Sequence, residues 1–190
     1  MDKPFLIGLS GLKGSGKTSV ARQLSLRYAT VGRVCTVMSF AAPMRSMVQN
    51  LLFDAGILNS HEYLRDPRLK EEPLDCLQGK SVRFAMQTLG TEWGRNIIGP
   101  DFWTHIGIKR AYKSRSEVVV FDDARFPNEA DAITQSGGRI FNIERPEVTK
   151  NATDAHESES YKLGQWVFNG SDDPGDAAII IDDLLKGALK

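Results

Sequence analysis

The chain has 190 residues, 24 Lys and Arg against 24 Asp and Glu, and 41% hydrophobic residues. That length suits one domain, or one domain with a subdomain inserted in it, and is enough to bury a core without disulfides or structural metal. Zero formal charge argues against a nucleic-acid coat or a polybasic membrane anchor, and no apolar run approaches the roughly 20 residues that a bilayer requires.

The N-terminus, Met1-Asp2-Lys3-Pro4, lacks the charged and apolar regions of a secretory signal, so a soluble cytoplasmic protein is expected. Pro4 to Ser10 is a short apolar run ending in glycine-rich sequence and predicts a buried parallel strand. Thr18 to Thr30 carries Val20, Ala21, Leu24 and Tyr28 at helical spacing, with Gly32 as the stop. Val34 to Phe40 predicts a second strand. A helix follows from Pro43, with Met44, Met47, Val48, Leu51 and Leu52, to Gly56. Ile57 to Lys80 is polar, holds Pro67 and Pro73, and reads as loop with short helical pieces. Ser81 caps a helix running to about Ile98, and Pro100 opens another over Asp101 to Ser114.

Glu117 to Asp122 is the clearest strand. Pro127 to Gln135 is a helix closed by Gly137-Gly138, Arg139 to Ile143 and Gln165 to Phe168 are strands, and Ala177 to Leu189 is a closing helix. Alternating strands and helices predict an α/β fold with a mostly parallel sheet. The stretch between Phe40 and Glu117 is too long for a simple crossover and holds no convincing strand, so it reads as an inserted helical lobe beside the sheet's carboxyl edge. Cys35 and Cys76 lie in no metal-binding or redox spacing; both read as small buried residues of a reducing compartment.

Gly11-Leu12-Lys13-Gly14-Ser15-Gly16-Lys17-Thr18 fits G-x-x-x-x-G-K-[ST] at every fixed position, between a predicted strand and a predicted helix. Gly14 and Gly16 let the backbone curl into a ring of N–H donors around phosphate oxygens, with Ser15 between them, and the helix adds its positive end. Lys17 supplies a cation to the β and γ oxygens, and Thr18 a hydroxyl to Mg²⁺. The second half of such a site is an acid at a strand end, supplied here by Asp122 or Asp123; one of the two could hold a metal-bound water. Successive strand residues point to opposite faces, so these two should not share one role, and spacing does not divide the roles between them.

Arg83, Gln87, Thr91 and Arg95 recur every four residues and form a drifting polar stripe, with Gly90 and Gly94 along its edge. Val82, Met86, Leu89, Trp93 and Ile97 make a separate apolar face. Each glycine inside a helix costs about 1 kcal/mol relative to alanine, so two ask for a reason. On the helix pattern two readings stand: a ligand face with guanidinium groups for phosphate and an amide for a base edge, or a solvated face whose glycines accommodate a neighbour. Trp103 could stack on a base or sit in the core.

The sequence resembles the bacteriophage deoxynucleoside monophosphate kinases. The residues that carry the resemblance are Gly11 to Thr18, Ser39-Phe40-Ala41, Arg83-x-x-x-Gln87-x-x-Gly90-Thr91-Glu92-x-Gly94-Arg95, and Asp101-x-Trp103. Asp122-Asp123-Ala124-Arg125-Phe126-Pro127-Asn128-Glu129 and Asp154-Ala155-His156-Glu157-Ser158-Glu159 complete the set. The resemblance implies transfer of the γ-phosphoryl group of ATP, with Mg²⁺, to a deoxynucleoside 5′-monophosphate. It implies a three-layer P-loop kinase fold with a five-stranded parallel sheet: a core over residues 1–40, 115–144 and 164–190, a helical monophosphate-binding insertion over about 41–114, and a lid over about 145–163. Carried over by residue, Arg83, Gln87, Gly90, Thr91 and Trp103 would line the acceptor site, with Asp123 near its sugar or phosphate. Phe84 stands where such kinases can have a basic residue, which bears on base preference.

On that reading ATP lies over Gly14 to Thr18, with Thr18 and Asp122 toward the metal and Lys17, Asp123 and Arg145 as the catalytic set. Arg83, Arg95 or Arg125 grips the acceptor phosphate, with Arg45 assisting, and Arg145 moves in as the lid closes. Without the resemblance, Arg145 is a solvated arginine at a strand end. No nucleic-acid or membrane partner is expected, and the sequence leaves room for a homodimer. The rival readings are a P-loop kinase for another phosphorylated small molecule, of the phosphomevalonate or dephospho-coenzyme A type, a nucleotide-dependent switch, and a nucleic-acid motor. No N-K-x-D segment supports the switch, and no basic face supports the motor.

Overall fold

A computed structural model describes residues 3–149, 161, 163–170 and 173–189. The chain folds as two compact units: Met1–Phe40 with Gly107–Lys190, and Ala41–Ile106.

The first unit is built on strands β1 (Phe5–Ser10), β2 (Cys35–Met38), β5 (Val118–Phe121), β6 (Arg139–Glu144) and β7 (Gln165–Phe168), in the order β2-β5-β1-β6-β7. Every pairing is parallel. All four residues of β5 are buried, as a strand covered on both faces requires. On one face, α1 (Lys17–Thr30) and α8 (Pro174–Leu184) set Val20, Leu24, Ala178 and Ile181 against Ile7, Val118, Val120 and Phe141. On the other, α6 (Pro127–Gln135) and the end of α5 (Phe102–Lys113) set Ile133 and Ala111 against Leu6, Val119, Phe121 and Ile140. The result is the expected α/β fold, three-layered with a five-stranded parallel sheet. Central β1 has β5 on one side and β6 on the other, so the chain leaves it in both directions. The groove at its carboxyl end is where open α/β sheets place ligands.

The second unit holds α2 (Ala42–Asp54), α3 (Ser60–Tyr63) and α4 (Val82–Thr88), around a core of Val48, Leu52, Leu64 and Val82. The stretch expected to lack strands contains a small antiparallel hairpin, β3 (Pro73–Leu74) with β4 (Lys80–Ser81). Two-residue strands carry too little alternation to show in a sequence pattern. The Ser81 hydroxyl accepts the Phe84 amide at 3.2 Å, which starts α4 where the sequence places it.

Three sequence expectations need correction. The helix from Ser81 does not stay α-helical to Ile98: from Leu89 to Ile98 it is a π-helix. The closing helix starts at Pro174, where the Asp173 carboxylate accepts the Gly175 amide at 2.8 Å, and ends at Leu184. The cysteines are not alike. Cys35 is half-buried, and burial pushes its thiol up to about 11, while Cys76 is exposed. Cys76 sits in the 3₁₀ turn between β3 and β4, a surface position that an unrecognised hairpin hides. Among the described residues no helix is long and apolar enough to cross a membrane.

Candidate functional site

In the first unit, β1 delivers the chain at Ser10 into a loop that turns into α1 at Lys17. Gly14 and Gly16 adopt φ of 86° and 95°, the left-handed region where a side chain is strained, so glycine is required for the curl. No side chain caps α1; its first amides are left to the loop interior, the arrangement that receives an anion. Lys17 is 8% exposed, and its ammonium donates to the Gly11 and Leu12 carbonyls at 2.6 and 2.7 Å, which holds the cation against the loop.

The two acids separate as the strand geometry requires. Asp122 turns toward α1, where its Oδ2 accepts the Thr18 hydroxyl at 2.7 Å. Asp123 turns the other way and is 8% exposed; its Oδ1 accepts the Phe40 amide at 2.8 Å, and its Oδ2 accepts the Ser39 hydroxyl. Asp123 thus ties the exit of β2 to the exit of β5. This gives Ser39-Phe40 a structural reason that its sequence alone does not. Arg125 and Phe126 donate their amides to the Glu129 carboxylate at 2.7 and 3.1 Å, and Glu129 is 3% exposed. That buried carboxylate starts α6 and fixes the backbone that carries Arg125.

Beside the front of the loop lies a recess of about 450 Å³, open to solvent, walled by Leu12, Ser15, Asn142, Arg145, Tyr161 and Trp166 among others. Arg145 is therefore on the phosphate-loop side of β6, at the start of α7 (Pro146–Thr149). Residues 150–160 and 162 of the expected lid, including His156-Glu157-Ser158-Glu159, lie outside the described residues.

In the second unit, Arg83, Gln87, Thr91 and Arg95 share α4 and the π segment. Arg83 is ion-paired through Nε with Glu71, a partner that the sequence pattern does not show because it comes from the turn before β3. This bond uses one of the five donors of the guanidinium. Arg95 donates to the Pro100 carbonyl at 3.3 Å. Arg45 is exposed on α2.

Gly94 is explained by Trp103. Its indole N–H donates to the Gly90 carbonyl at 2.9 Å, and a Cβ on Gly94 would meet the ring at 2.2 Å. Trp103 is 3% exposed, with Trp93 and Phe102 around it. It packs among aromatic side chains, and Gly94 is the bed on which its ring lies. A carbonyl drawn to an indole is also withdrawn from the i→i−4 ladder, one physical route to the wider i→i+5 winding. The expected apolar face holds over Val82, Met86 and Leu89, which pack in the core of this unit, and is lost along the π segment, where Ile97 is 73% exposed.

The first unit therefore gathers Gly14, Ser15, Gly16, Lys17, Thr18 and Asp122 around one loop, with Arg145 beside it. The second holds Arg45, Arg83, Gln87, Thr91 and Arg95. Sequence reasoning missed Asn169. Its side-chain NH₂ donates to the Ser15 carbonyl at 2.8 Å, from a residue 154 positions away. The one available signal was its place directly after a strand at the carboxyl edge of the sheet.

Comparison with known proteins now bears on this geometry. A family model described as deoxynucleotide monophosphate kinase matches residues 32–164. The match begins beyond the glycine loop, so the loop's geometry and the family match are separate lines of support. A chain of Acanthamoeba polyphaga mimivirus, provisionally named a deoxynucleotide monophosphate kinase, is 32% identical over 166 residues, covering 81% of this chain and 80% of the relative. Among solved structures, the APS kinase CysC of Mycobacterium tuberculosis, in complex with AMPPNP and APS, aligns over 98% of this chain and 99% of its own. Its TM-score is 0.52 at 14% identity, a likeness of fold.

Proposed function

The chain belongs to the deoxynucleotide monophosphate kinase family, phosphotransferases acting on nucleotide phosphate, and from that premise we propose that it moves the γ-phosphoryl group of ATP onto a deoxynucleoside 5′-monophosphate. In the transfer, an oxygen of the acceptor phosphate bonds to the γ phosphorus as the bridging P–O bond to the β phosphate breaks, giving a deoxynucleoside diphosphate and ADP. The observation that carries the donor half is the Thr18–Asp122 hydrogen bond beside a glycine loop that bears Lys17.

That pair fits a magnesium ion. Among the described residues no cluster of three or more His, Cys, Asp or Glu could cage a metal. Mg²⁺ in phosphoryl-transfer sites needs no cage, since one hydroxyl or carboxylate, waters and the substrate's phosphates complete its shell. Thr18 and Asp122 would hold it, and bound there it neutralises charge on the β and γ oxygens. Lys17 adds a cation to the same oxygens, and the amides of Gly14 to Thr18 receive the phosphates. The chemistry asks little more of the protein than position and charge, because an ionised phosphate acceptor needs no strong base.

Arg83 and Arg95, carried on one helix with Gln87 and Thr91, support the assignment of the second unit to the acceptor. Guanidinium groups suit phosphate oxygens, and the amide and hydroxyl suit a base or sugar edge. Trp103 packs against that helix and Asp123 ties the strand exits, so both act on the acceptor site through the backbone they hold. Arg145, which lines the recess with Leu12 and Ser15, would offset charge on the transferring group. The bacteriophage source that the sequence resemblance implies is part of this reading.

The test is an acceptor panel in an ADP-release assay: the four deoxynucleoside monophosphates, their ribose counterparts, phosphomevalonate and dephospho-coenzyme A, each with ATP and Mg²⁺. Release of ADP with a deoxynucleoside monophosphate, and none with the last two, is the expected result. Turnover confined to phosphomevalonate or dephospho-coenzyme A would replace the acceptor.

A further inference from the structure

The strand β7 ends at Phe168, and the next residue turns into the phosphate loop. Three contacts fix Asn169 there. Its backbone amide donates to the Glu144 carbonyl at 2.7 Å, locking it to the end of the neighbouring β6. Its side-chain NH₂ donates to the Ser15 carbonyl at 2.8 Å. Its Nδ2 also lies 2.4 Å from where a Cβ on Gly16 would stand, so the glycine and the asparagine occupy one another's space. Asn169 is 4% exposed.

The orientation of the amide follows from these contacts. Turned about, it would set Oδ1 against the Ser15 carbonyl, two acceptors face to face; as placed, Oδ1 is the atom left without a partner among the described residues, together with the Ser15 hydroxyl. A buried side chain that leaves its own oxygen unsatisfied in order to hold a loop carbonyl carries a cost that calls for a return.

We propose that Asn169 is a positioning residue for the phosphate loop, aiming the Gly16 amide at the donor's phosphates. The argument is the planarity of the peptide. In a trans peptide the carbonyl of one residue and the N–H of the next point in opposite directions. Holding the Ser15 carbonyl outward against Asn169 therefore turns the Gly16 N–H inward, into the ring of donors. Gly14 and Gly16 leave the backbone on either side of Ser15 free to rotate, and the Ser15 hydroxyl bonds to nothing among the described residues that would fix it, so an external hydrogen bond sets the peptide plane and the ring is organised before phosphate arrives. The role falls to the last strand of the chain, which makes no part of the G-x-x-x-x-G-K-T sequence itself.

The inference rests on the proposed use of ATP, and the test separates the two. Wild type, Asn169→Asp and Asn169→Ala are titrated directly with ATP, and turnover is measured against both substrates. Asp keeps the shape and removes the donor; Ala removes both. The expected result is wild-type protein that binds ATP, and folded variants that bind it about tenfold or more weakly, as loss of a buried hydrogen bond implies. The KM for the deoxynucleoside monophosphate should stay unchanged, with Asp at least as impaired as Ala. A merely structural role would lower the melting temperature and leave the ATP constant alone. Folded variants of wild-type ATP affinity overturn the proposal, whereas a wild type that binds no ATP overturns the function instead. Should neither variant fold, the ¹⁵N spectrum of the wild type decides: the Asn169 NH₂ pair should exchange slowly with water and shift on ATP addition, and fast exchange without a shift would refute the role.

Discussion

The glycine loop of the first unit and the arginine-bearing helix of the second are both short segments rich in glycine, yet they became glycine-rich for different reasons. At Gly14 and Gly16 the backbone takes positive φ, the curl that a ring of amide donors needs. At Gly94 the backbone is helical, and the missing Cβ makes room for an indole from the following helix. In the first region the ligand's chemistry dictates the residue types, and they read directly from sequence. In the second a neighbouring side chain accounts for Gly94, and that contact does not show in the sequence.

The comparison can be broken first at Asp122, the proposed metal position. Asp122→Asn keeps the partner of Thr18 but removes the charge. The Mg²⁺ concentration needed for half-maximal turnover should rise about 10- to 100-fold, the scale on which removal of groups that support a metal acts. A titration of activity against Mg²⁺ measures this, and an unchanged requirement would take Asp122 out of the site. A smaller effect distinguishes the two glycines of the helix. At Gly94 an alanine methyl meets the rigid Trp103 ring, and overpacking of that kind costs about 1–3 kcal/mol. This outweighs the roughly 1 kcal/mol that alanine returns in helix propensity. At Gly90 the methyl meets the flexible tip of Met44 at 3.0 Å, which can move. Thermal melts should show Gly94→Ala less stable than Gly90→Ala; the reverse order would mean that Trp103 does not set the winding of this helix.

Most of the first unit was legible in sequence. β1, α1, β5, α6 and β7 stand where their apolar periods and turn residues put them, because each is a regular element with one or two buried faces. The opposite facing of Asp122 and Asp123 followed from strand geometry, while their separate partners, Thr18 and Ser39, did not, since those contacts span 104 and 84 residues. Asn169 was invisible for a related reason: an Asn-Gly pair after a strand reads as a turn, and nothing local says that the amide reaches Ser15. In the second unit the four-residue stripe assumed α-helical winding throughout. The π segment over Leu89–Ile98 broke that assumption, and it arises with a tryptophan that helical periodicity assigns to a different element.

The central claim is a division of labour, with the donor held by the first unit and the acceptor by the second. It is tested most directly by direct binding of ATP and of a deoxynucleoside monophosphate, each alone, to Lys17→Ala and Arg83→Ala. Lys17→Ala should lose ATP affinity and turnover, the latter about 100-fold or more, as loss of a charge-stabilising donor does, and still bind the monophosphate as wild type does. Arg83→Ala should bind ATP normally and the monophosphate about tenfold or more weakly, the scale of a hydrogen bond to a charged group. Two folded variants that fail on the same ligand, or an Arg83→Ala that binds the monophosphate as wild type does, would contradict the account.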